Sequence, residues 1–269
     1  MCVAIWALEE HPIYKFILTH NRDEFHSRES CPAHWWKEEP GNILAGRDGK
    51  EGGTWLGISA TGRLAFVTNI REPLEKNAAV SRGFLPVQFL QSELNPKDHI
   101  DQLSSQAMSY NGFNLVVADV HSGEMACYSH SLKLGDTLTH DISRGIHGVS
   151  NGVFESNWPK VDRGKRKLKE LLERYPNEEI PDKIIIDELL RDGRVFEDSV
   201  LPATGVTLER ERMLSPLFVS QEQYGTICMT IIAARRDEVV SVYEEYLSGG
   251  VWKNHKVEFA MKKLESSLN

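Results

Sequence analysis

The first part of the chain consists of short apolar runs separated by polar residues. Two such runs flank a polar break at residues 9–12 and are typical of two paired strands. Antiparallel strands joined by a short connection bring the start of the first strand beside the end of the second. The pattern therefore predicts that Cys2 faces Arg22 and Asp23 at the mouth of one pocket.

Turn dipeptides and apolar runs predict further strands along the chain. Thr61-Gly62 and Ser122-Gly123 mark two hairpin turns. Residues 25–36, which have neither helical nor strand period, indicate an ordered aromatic loop, and residues 192–223 indicate a long loop. The predicted strands cover residues 54–59, 63–69, 113–119, 124–129, 145–152, 225–234, 238–247 and 251–260.

Helical periodicity and capping signals predict four helices, at residues 81–90, 96–108, 158–175 and 182–191. The third helix has a basic face. This face is either solvated or attracts an anionic head group, such as a coenzyme A phosphate or an acidic lipid. Its members are Lys160, Arg163, Lys165, Arg166, Lys167 and Lys169.

The order of the predicted elements is strands, helices, strands, helices, strands. An all-parallel, doubly wound sheet would alternate strands and helices instead. The pattern favours two antiparallel sheets packed together, with helices on their outer faces. No linker, repeat or low-complexity tract interrupts residues 1–269, so we predict a single domain.

The charge balance of the chain limits the classes of partner that we expect. The chain carries 31 basic and 39 acidic side chains, a formal charge of −8, whereas nucleic acid binding needs a basic face. We therefore expect no nucleic acid partner. Because no run of 18 apolar residues is present, we expect no integral membrane span.

The cysteines indicate the compartment. All four are far apart and form no C-x-x-C pair, so we expect neither a metal site nor a disulfide framework. Scattered thiols fit a reducing compartment, and no secretory signal is visible. The expectation is a cytoplasmic protein, with a mitochondrial or a Golgi- or ER-associated pool left open.

Cys2 is the first candidate for chemistry. A small residue at this position allows Met1 to be removed, which would give Cys2 a free α-amine beside its thiol. An α-amine has a pKa of about 7.7–8.0, so it can act as the base for the adjacent nucleophile. The alternative interpretation is that Cys2 is a small apolar residue that opens a buried strand.

Several segments across nearly the whole chain together resemble the Transport and Golgi organisation 2 family. Its members are also called NRDE proteins, after the tetrad at residues 21–24. The matching segments are Met1-Cys2, Asn21-Arg22-Asp23-Glu24-Phe25, residues 50–58 (KEGGTWLGI), Thr68-Asn69, residues 110–114 (YNGFN), residues 148–151 (GVSN) and Tyr224-Gly225-Thr226.

The family in turn resembles N-terminal nucleophile (Ntn) hydrolases of the penicillin acylase and bile-salt hydrolase type, which implies an αββα sandwich. By position, the resemblance makes Cys2 the nucleophile, Asp23 the partner of the amine and Arg22 the group that favours the thiolate. It makes Asn69 and Asn151 donors to the oxyanion or the substrate. These roles agree with chemistry, since a nearby cation lowers a thiol pKa and amides stabilise an oxyanion.

Ile227 departs from the family pattern, because members commonly carry an arginine after the Tyr-Gly-Thr segment, where the hydrolases also place a catalytic arginine. Its absence would leave the thiolate and the oxyanion less stabilised. Arg212, Arg235 and Arg236 are the candidates to replace it in space.

Three further residues are candidates for substrate contact. Asn21 and Glu24 either contact substrate or cap the strand end, and Trp55 either contacts substrate or packs beside two glycines. At strand ends, Asn69 and Asn151 are also compatible with ordinary turn residues.

The resemblance leaves two functions open. The first is hydrolysis of an amide or thioester of a small acylated molecule through Cys2, with no cofactor required. The second is a non-catalytic carrier or chaperone for haem, acyl-coenzyme A or lipid, which acts in trafficking and in Golgi, ER or mitochondrial homeostasis. Family links with haem and lipid handling suggest it. Cys31-Pro32 with His34 is a weak candidate haem ligand set.

Overall fold

The computed structural model describes residues 2–37, 42–73, 76, 79–135 and 137–262, and Met1 lies outside these ranges. Its strands are β1 (Cys2–Leu8), β2 (Tyr14–Phe25), β3 (Ser30–Trp35), β4 (Ile43–Asp48), β5 (Leu56–Ser59), β6 (Arg63–Asn69), β7 (Phe113–Asp119), β8 (Glu124–His130), β9 (Thr137–Asp141), β10 (Gly145–Val149), β11 (Tyr224–Arg235), β12 (Val239–Ser248) and β13 (Val251–Ala260).

Within the described ranges, five α-helices connect the strands. They are α1 (Phe84–Gln91), α2 (Pro96–Leu103), α3 (Pro159–Arg174), α4 (Asp182–Ile185) and α5 (Leu208–Met213), and α4 continues into a π-helical turn at Ile186–Leu190. Short 3₁₀ turns lie at Ala107–Ser109 and Asp198–Val200.

The strands form two antiparallel sheets. Six strands follow the order β10-β1-β2-β11-β12-β13, and seven follow the order β3-β4-β5-β6-β7-β8-β9. One apolar cluster lies between the sheets and includes Trp6 and Phe66. A second joins the six-stranded sheet to α3 and α4, and a third joins the seven-stranded sheet to α1 and α2. The predicted αββα sandwich is therefore confirmed.

Side chains alternate between the faces of β1 and β2. Trp6 and Leu18 belong to the cluster between the sheets, whereas Ile5 and Ile17 pack against the helices. Cys2 pairs directly with Arg22 across the two strands. By this alternation, Cys2 and Arg22 face the seven-stranded sheet, and Asp23 faces the helical layer.

The structure corrects several predicted elements. Residues 30–35, which fell in the predicted aromatic loop, form β3 at the edge of a sheet, with a register shift between Cys31 and His34. Pro32 is tolerated there because an edge strand leaves some backbone groups unpaired. The helix predicted to reach Met108 ends at Leu103. The long loop at residues 192–223 contains α5, and six residues are too few to show helical periodicity.

Candidate active site

Cys2 lines a cleft of about 410 Å³ where β1 begins and β2 ends. The residue is 8% exposed. Burial raises the pKa of the Cys2 thiol, against the opposing effect of the Arg22 guanidinium. The predicted proximity of Cys2 to Arg22 is confirmed by their direct pairing. Asp23 points to the other face of the sheet, although its position at the strand end still lets it line the same cleft.

Arg22 is fixed by one carboxylate and one aromatic ring. Its Nη2 donates to Asp48 Oδ2 at 2.8 Å, and its guanidinium carbon lies 4.1 Å from the centre of the Trp55 ring. Arg28 donates to both oxygens of the same Asp48, at 2.7 and 2.9 Å. Burial opposes ionisation of Asp48, but the bonds from Arg28 and the Glu51 N–H, together with the charges of Arg28 and Arg22, outweigh it, so the pKa of Asp48 is lowered.

Asp23 is buried in the helical layer. Thr226 Oγ1 donates to Asp23 Oδ1 at 2.7 Å, and the Tyr224 hydroxyl donates to the Asp23 backbone oxygen at 3.1 Å. Burial raises the pKa of Asp23, while the nearby Lys160 ammonium acts to lower it. Asp23 is thus a desolvated carboxyl whose charge depends on Lys160.

Asn69 and Asn151 are neighbours with different surroundings. Asn69 lines the cleft. Asn151 is fully buried, and its Nδ2 donates to the Asn69 backbone oxygen at 2.9 Å. The Ser150 hydroxyl lies 2.9 Å from the Cys2 backbone oxygen and 3.2 Å from Asn151 Oδ1. Asn151 thereby ties the end of β6 to the start of β1, and a donor role for either amide stays a prediction.

The three predicted substrate contacts occupy different places. Glu24 and Trp55 line the cleft. Asn21 is fully buried on the helical face, where its amide donates to the backbone oxygens of Leu190 and Leu217 at 2.8 and 2.9 Å. The geometry gives Asn21 a structural bond, and its contact with substrate stays a prediction.

The cleft also contains charged residues that the sequence analysis missed as site residues. Asp48 lies in the segment Gly46-Arg47-Asp48-Gly49, whose glycines predict a turn. Its Oδ1 accepts from the backbone N–H groups of Lys50 and Glu51, at 3.2 and 3.0 Å. Only the folded chain shows that its other oxygen binds Arg22. These additional lining residues are Arg28, Asp48, Lys50, Glu51, Lys76 and Arg82.

Lys160 was assigned to a basic helix face, but the structure buries it in the first turn of α3. It is 2% exposed, and its Nζ donates to the Leu214 backbone oxygen at 3.1 Å. Others on this face, Arg163 and Lys167, bind Asp192 at 2.5 and 3.3 Å. The predicted basic face is therefore wrong for Lys160, and at Arg163 and Lys167 its charge is paired with a carboxylate.

Ile227 lies in a register shift of β11, between Thr226 and Cys228. It lines a second cavity of about 550 Å³, together with Cys31 and Tyr246. None of the three arginines suggested as replacements lines the cleft. Their carboxylate partners are Asp198 for Arg212, Glu179 and Asp237 for Arg235, and Glu9 for Arg236.

The remaining predictions concern metals and membranes. Cys31 and His34 are both exposed, and haem binding there stays a prediction. Among the described residues, no cluster of three or more His, Cys, Asp or Glu side chains could hold a metal ion. In that same part of the chain, every helix is too short or too polar to span a bilayer.

Comparison with known proteins gives consistent matches. Residues 1–249 match the family model described as Transport and Golgi organisation 2. Transport and Golgi organization protein 2 homologs from Bos taurus and Homo sapiens are each 32% identical, with 97% of this chain and 100% of each relative covered. The Drosophila melanogaster protein of that name is 22% identical, with 96% and 98% covered.

Solved structures share the fold. A variant of conjugated bile acid hydrolase from Clostridium perfringens aligns over 100% of both chains with a TM-score of 0.51 and 8% identity. Another mutant of that enzyme aligns over 98% of both chains with a TM-score of 0.50 and 7% identity. At such identities the likeness shows an Ntn-hydrolase fold.

Proposed function

The chain belongs to the Transport and Golgi organisation 2 family, and from that premise we propose that it is a thiol hydrolase of the Ntn type. With Met1 removed, Cys2 would attack the carbonyl carbon of an amide or thioester in a small acylated molecule. The observation that carries the proposal is that Cys2, Arg22, Asp23 and Asn69 line one cleft.

The proposed reaction begins with transfer of the Cys2 thiol proton to the α-amine, which leaves a thiolate. The thiolate attacks the carbonyl carbon, and Asn69, with the remaining N–H of Asn151, donates to the oxyanion. The intermediate collapses to an acyl-Cys2 thioester, and the leaving amine or thiol takes the proton from the α-ammonium. Water then attacks the thioester, which releases the acid and restores the thiol.

The fixed guanidinium of Arg22 supports this assignment. A cation beside a cysteine lowers the pKa of the thiol, and Arg22 opposes the burial effect on Cys2. In the described part of the chain, Nη1 of Arg22 is buried and has no hydrogen-bond partner. In this proposal Nη1 is the donor that meets the thiolate or the substrate.

The test is intact-mass analysis of the protein lacking Met1 after incubation with acyl amides and acyl-coenzyme A thioesters. We expect one acyl group per chain, attached to Cys2, followed by release of the free acid. Cys2→Ala should abolish the adduct. Cys31→Ala, which removes an exposed thiol outside the cleft, is the matched control and should leave it unchanged.

Two results would contradict the hydrolase proposal. One is the absence of any adduct or product with the whole panel. The other is complete retention of Met1 in protein isolated from its own cells, because the α-amine base would then not exist at Cys2.

The charged lining of the cleft and the burial of Cys2 favour a second candidate, which is carriage without turnover. Burial raises the pKa of the thiol and slows its attack. Lys50, Lys76 and Arg82 line the cleft and suit the phosphates of acyl-coenzyme A better than a purely apolar ligand. Such a carrier would act in trafficking of acyl-coenzyme A, lipid or haem between the cytoplasm and the Golgi, ER or mitochondria.

Calorimetric titration with acyl-coenzyme A, haem and a fatty acid distinguishes the two candidates. A carrier should bind equally well after Cys2→Ala and more weakly after Lys50→Ala. Failure to bind any of the three ligands would overturn carriage.

A further inference from the structure

Lys160 is a buried ammonium that the reaction above does not use. It lies in the first turn of α3, where Gly164 allows close packing, because a Cβ at Gly164 would be only 2.8 Å from Ile5 Cγ1. The cavity beside Lys160 has a volume of about 10 Å³, the lower limit for one water. Burial lowers the pKa of Lys160 to about 8, against the opposing effect of Asp23.

The titratable groups around Lys160 come from five other parts of the chain. Arg71, which follows β6, pairs with Glu211 of α5 at 3.2 Å. Asp23 on β2 is the acidic group with the largest effect on Lys160, and Cys2 on β1 also acts on it. Tyr224 on β11 faces Asp23, Cys2 and Arg71. Around Lys160 the cluster thus holds one further cation, Arg71, and two carboxyl groups, Asp23 and Glu211. Arg22 and Glu24 of β2 also act on Cys2 itself.

The charges of this cluster affect the protonation of the free α-amine that Cys2 carries once Met1 is removed. A protonated amine would add a positive charge beside three buried cationic side chains, Lys160, Arg71 and Arg22. Asp23 and Glu24 favour that added charge, whereas Lys160, Arg71 and Arg22 oppose it. A buried position weakens solvent screening, so the opposition is stronger than at a surface.

We propose that Lys160 is a positioning residue that keeps the α-amine of the processed Cys2 in its uncharged, proton-accepting form while holding Asp23 as a carboxylate. This inference deepens the proposed hydrolase and rests on it. In the first step, the S–H bond of Cys2 breaks and its proton binds to the amine lone pair. An amine that is already protonated cannot take this proton, so Lys160 sets the pH at which the step begins.

The direct test measures the amine without using hydrolysis. In Cys2→Ala protein lacking Met1, the pH dependence of α-amine acetylation by acetic anhydride, followed by peptide mass spectrometry, gives the pKa of the amine. Lys160→Met removes a cation and should raise that pKa by about one unit. Lys160→Arg keeps the charge and should leave it near its original value. An unchanged pKa in Lys160→Met would overturn the inference.

A second variant, expected to shift the pKa of the α-amine in the opposite direction, distinguishes an effect of charge from a general disturbance of the structure. Glu211→Gln removes a carboxylate from the same cluster and should lower the pKa of the α-amine. If Lys160→Met fails to fold, this variant decides, and a pKa that stays the same or rises would overturn the inference.

A parallel activity measurement keeps the two proposals separate. In protein with Cys2 intact, the acid limb of acyl-enzyme formation should move to higher pH in Lys160→Met and stay in place in Lys160→Arg. Absence of acyl-enzyme in the unaltered protein would defeat the hydrolase proposal, whereas the amine titration would still decide the role of Lys160.

Discussion

Asp48 shows how one side chain organises the candidate site. It binds Arg22 and Arg28 with its carboxylate oxygens and also accepts from two backbone N–H groups of its own turn. Hydrogen bonds to charged groups contribute more to stability than neutral ones. Asp48 therefore both stabilises the turn and sets the position of Arg22 beside Cys2.

Replacement of Asp48 by asparagine should reduce the free energy of unfolding by about 2 kcal/mol at pH 7. The pKa of Asp48 is lowered in the folded state, so its charged form stabilises the fold above the unfolded pKa of about 3.9. That stabilisation is lost as the pH falls through the lower folded value. Urea unfolding of both proteins from pH 7 to pH 3 should show the difference shrinking below about pH 4. A difference that stays constant would contradict this.

Asn69 and Asn151 form a matched pair for separating structure from chemistry. Asn151→Ala removes a buried amide that holds the Asn69 carbonyl, and it should cost about 1–3 kcal/mol of stability. Asn69→Ala should cost less than about 1 kcal/mol and should slow acyl-enzyme formation. Thermal unfolding and acylation rates of the two variants check this. Equal losses of stability would contradict the distinction.

For individual residues, the sequence predicts which side chains meet across a hairpin better than it predicts which side chains of a helix are buried. The pairing of Cys2 with Arg22 follows from two adjacent strands with a short connection. Lys160 is the same type of residue as its more exposed neighbours Lys165 and Lys169. It is buried only because the segment that contains Phe196 and Leu214 packs beside it in the folded chain. Asp48 could not be linked to Arg22, because the partners lie 26 residues apart on different sheets.

The register shift in β11 decides what position 227 can do. One extra residue between Thr226 and Cys228 changes the side-chain alternation of the strand. Ile227 consequently lines the cavity near Cys31 and Tyr246. The backbone at position 227 directs its side chain toward that cavity. An arginine at this position would therefore point toward the same cavity.

Restoring the family arginine should therefore not restore a cation beside Cys2. In Ile227→Arg we expect the rate of Cys2 alkylation by iodoacetamide at pH 7 to stay within about twofold of the original rate. A factor of two corresponds to a change of only about 0.4 kcal/mol in the activation free energy. Arg22→Ala, which removes the cation that pairs with Cys2, is the comparison and should slow alkylation. Much faster alkylation of Ile227→Arg would show that the side chain reaches the thiol.

Strand and helix patterns predicted most elements but not their interruptions. The helix predicted at residues 158–175 is confirmed as α3, and the late strands are confirmed as β11, β12 and β13. β3 was missed because Pro32 and the shift after Cys31 remove the period-two pattern. The bulge at Ile227 was missed because a single added residue leaves no signal in an apolar run.

In the described part of the chain, three apolar clusters hold the sheets and helices together. β13 is the edge strand of the six-stranded sheet. Val257, Phe259 and Met261 pack on the cluster between the sheets. The family model ends at residue 249, before β13 begins. The strand nevertheless pairs with β12 along its whole length.

Truncation after residue 249 should expose the edge of β12 and part of the central cluster. We expect a melting temperature lower by roughly 10 °C or more and association into larger species, because an uncovered strand edge pairs with other chains. Lys253→Ala, which shortens an exposed side chain of β13, should change neither property. Thermal unfolding and size-exclusion chromatography provide the measurement, and a monomer of unchanged stability would contradict it.

The four-layer arrangement was predicted from the order of the elements, whereas the order of the strands within each sheet was not. Strands that occur in runs, rather than in strict alternation with helices, argue against an all-parallel sheet. However, β10 pairs with β1 across more than 130 residues, and β11 pairs with β2 across more than 190 residues. Pairings so distant leave no local signal in the residues involved.

The place of β1 has a consequence for the order of events during synthesis. Every residue of β1 is buried, and the strand lies between β10 and β2 rather than at an edge. A peptidase that trims the residue before Cys2 needs an unfolded, extended substrate. For the proposed hydrolase we therefore expect trimming on the nascent chain, before β10 emerges from the ribosome and encloses β1. Under that proposal, protein that escapes trimming at that moment would stay inactive for its lifetime.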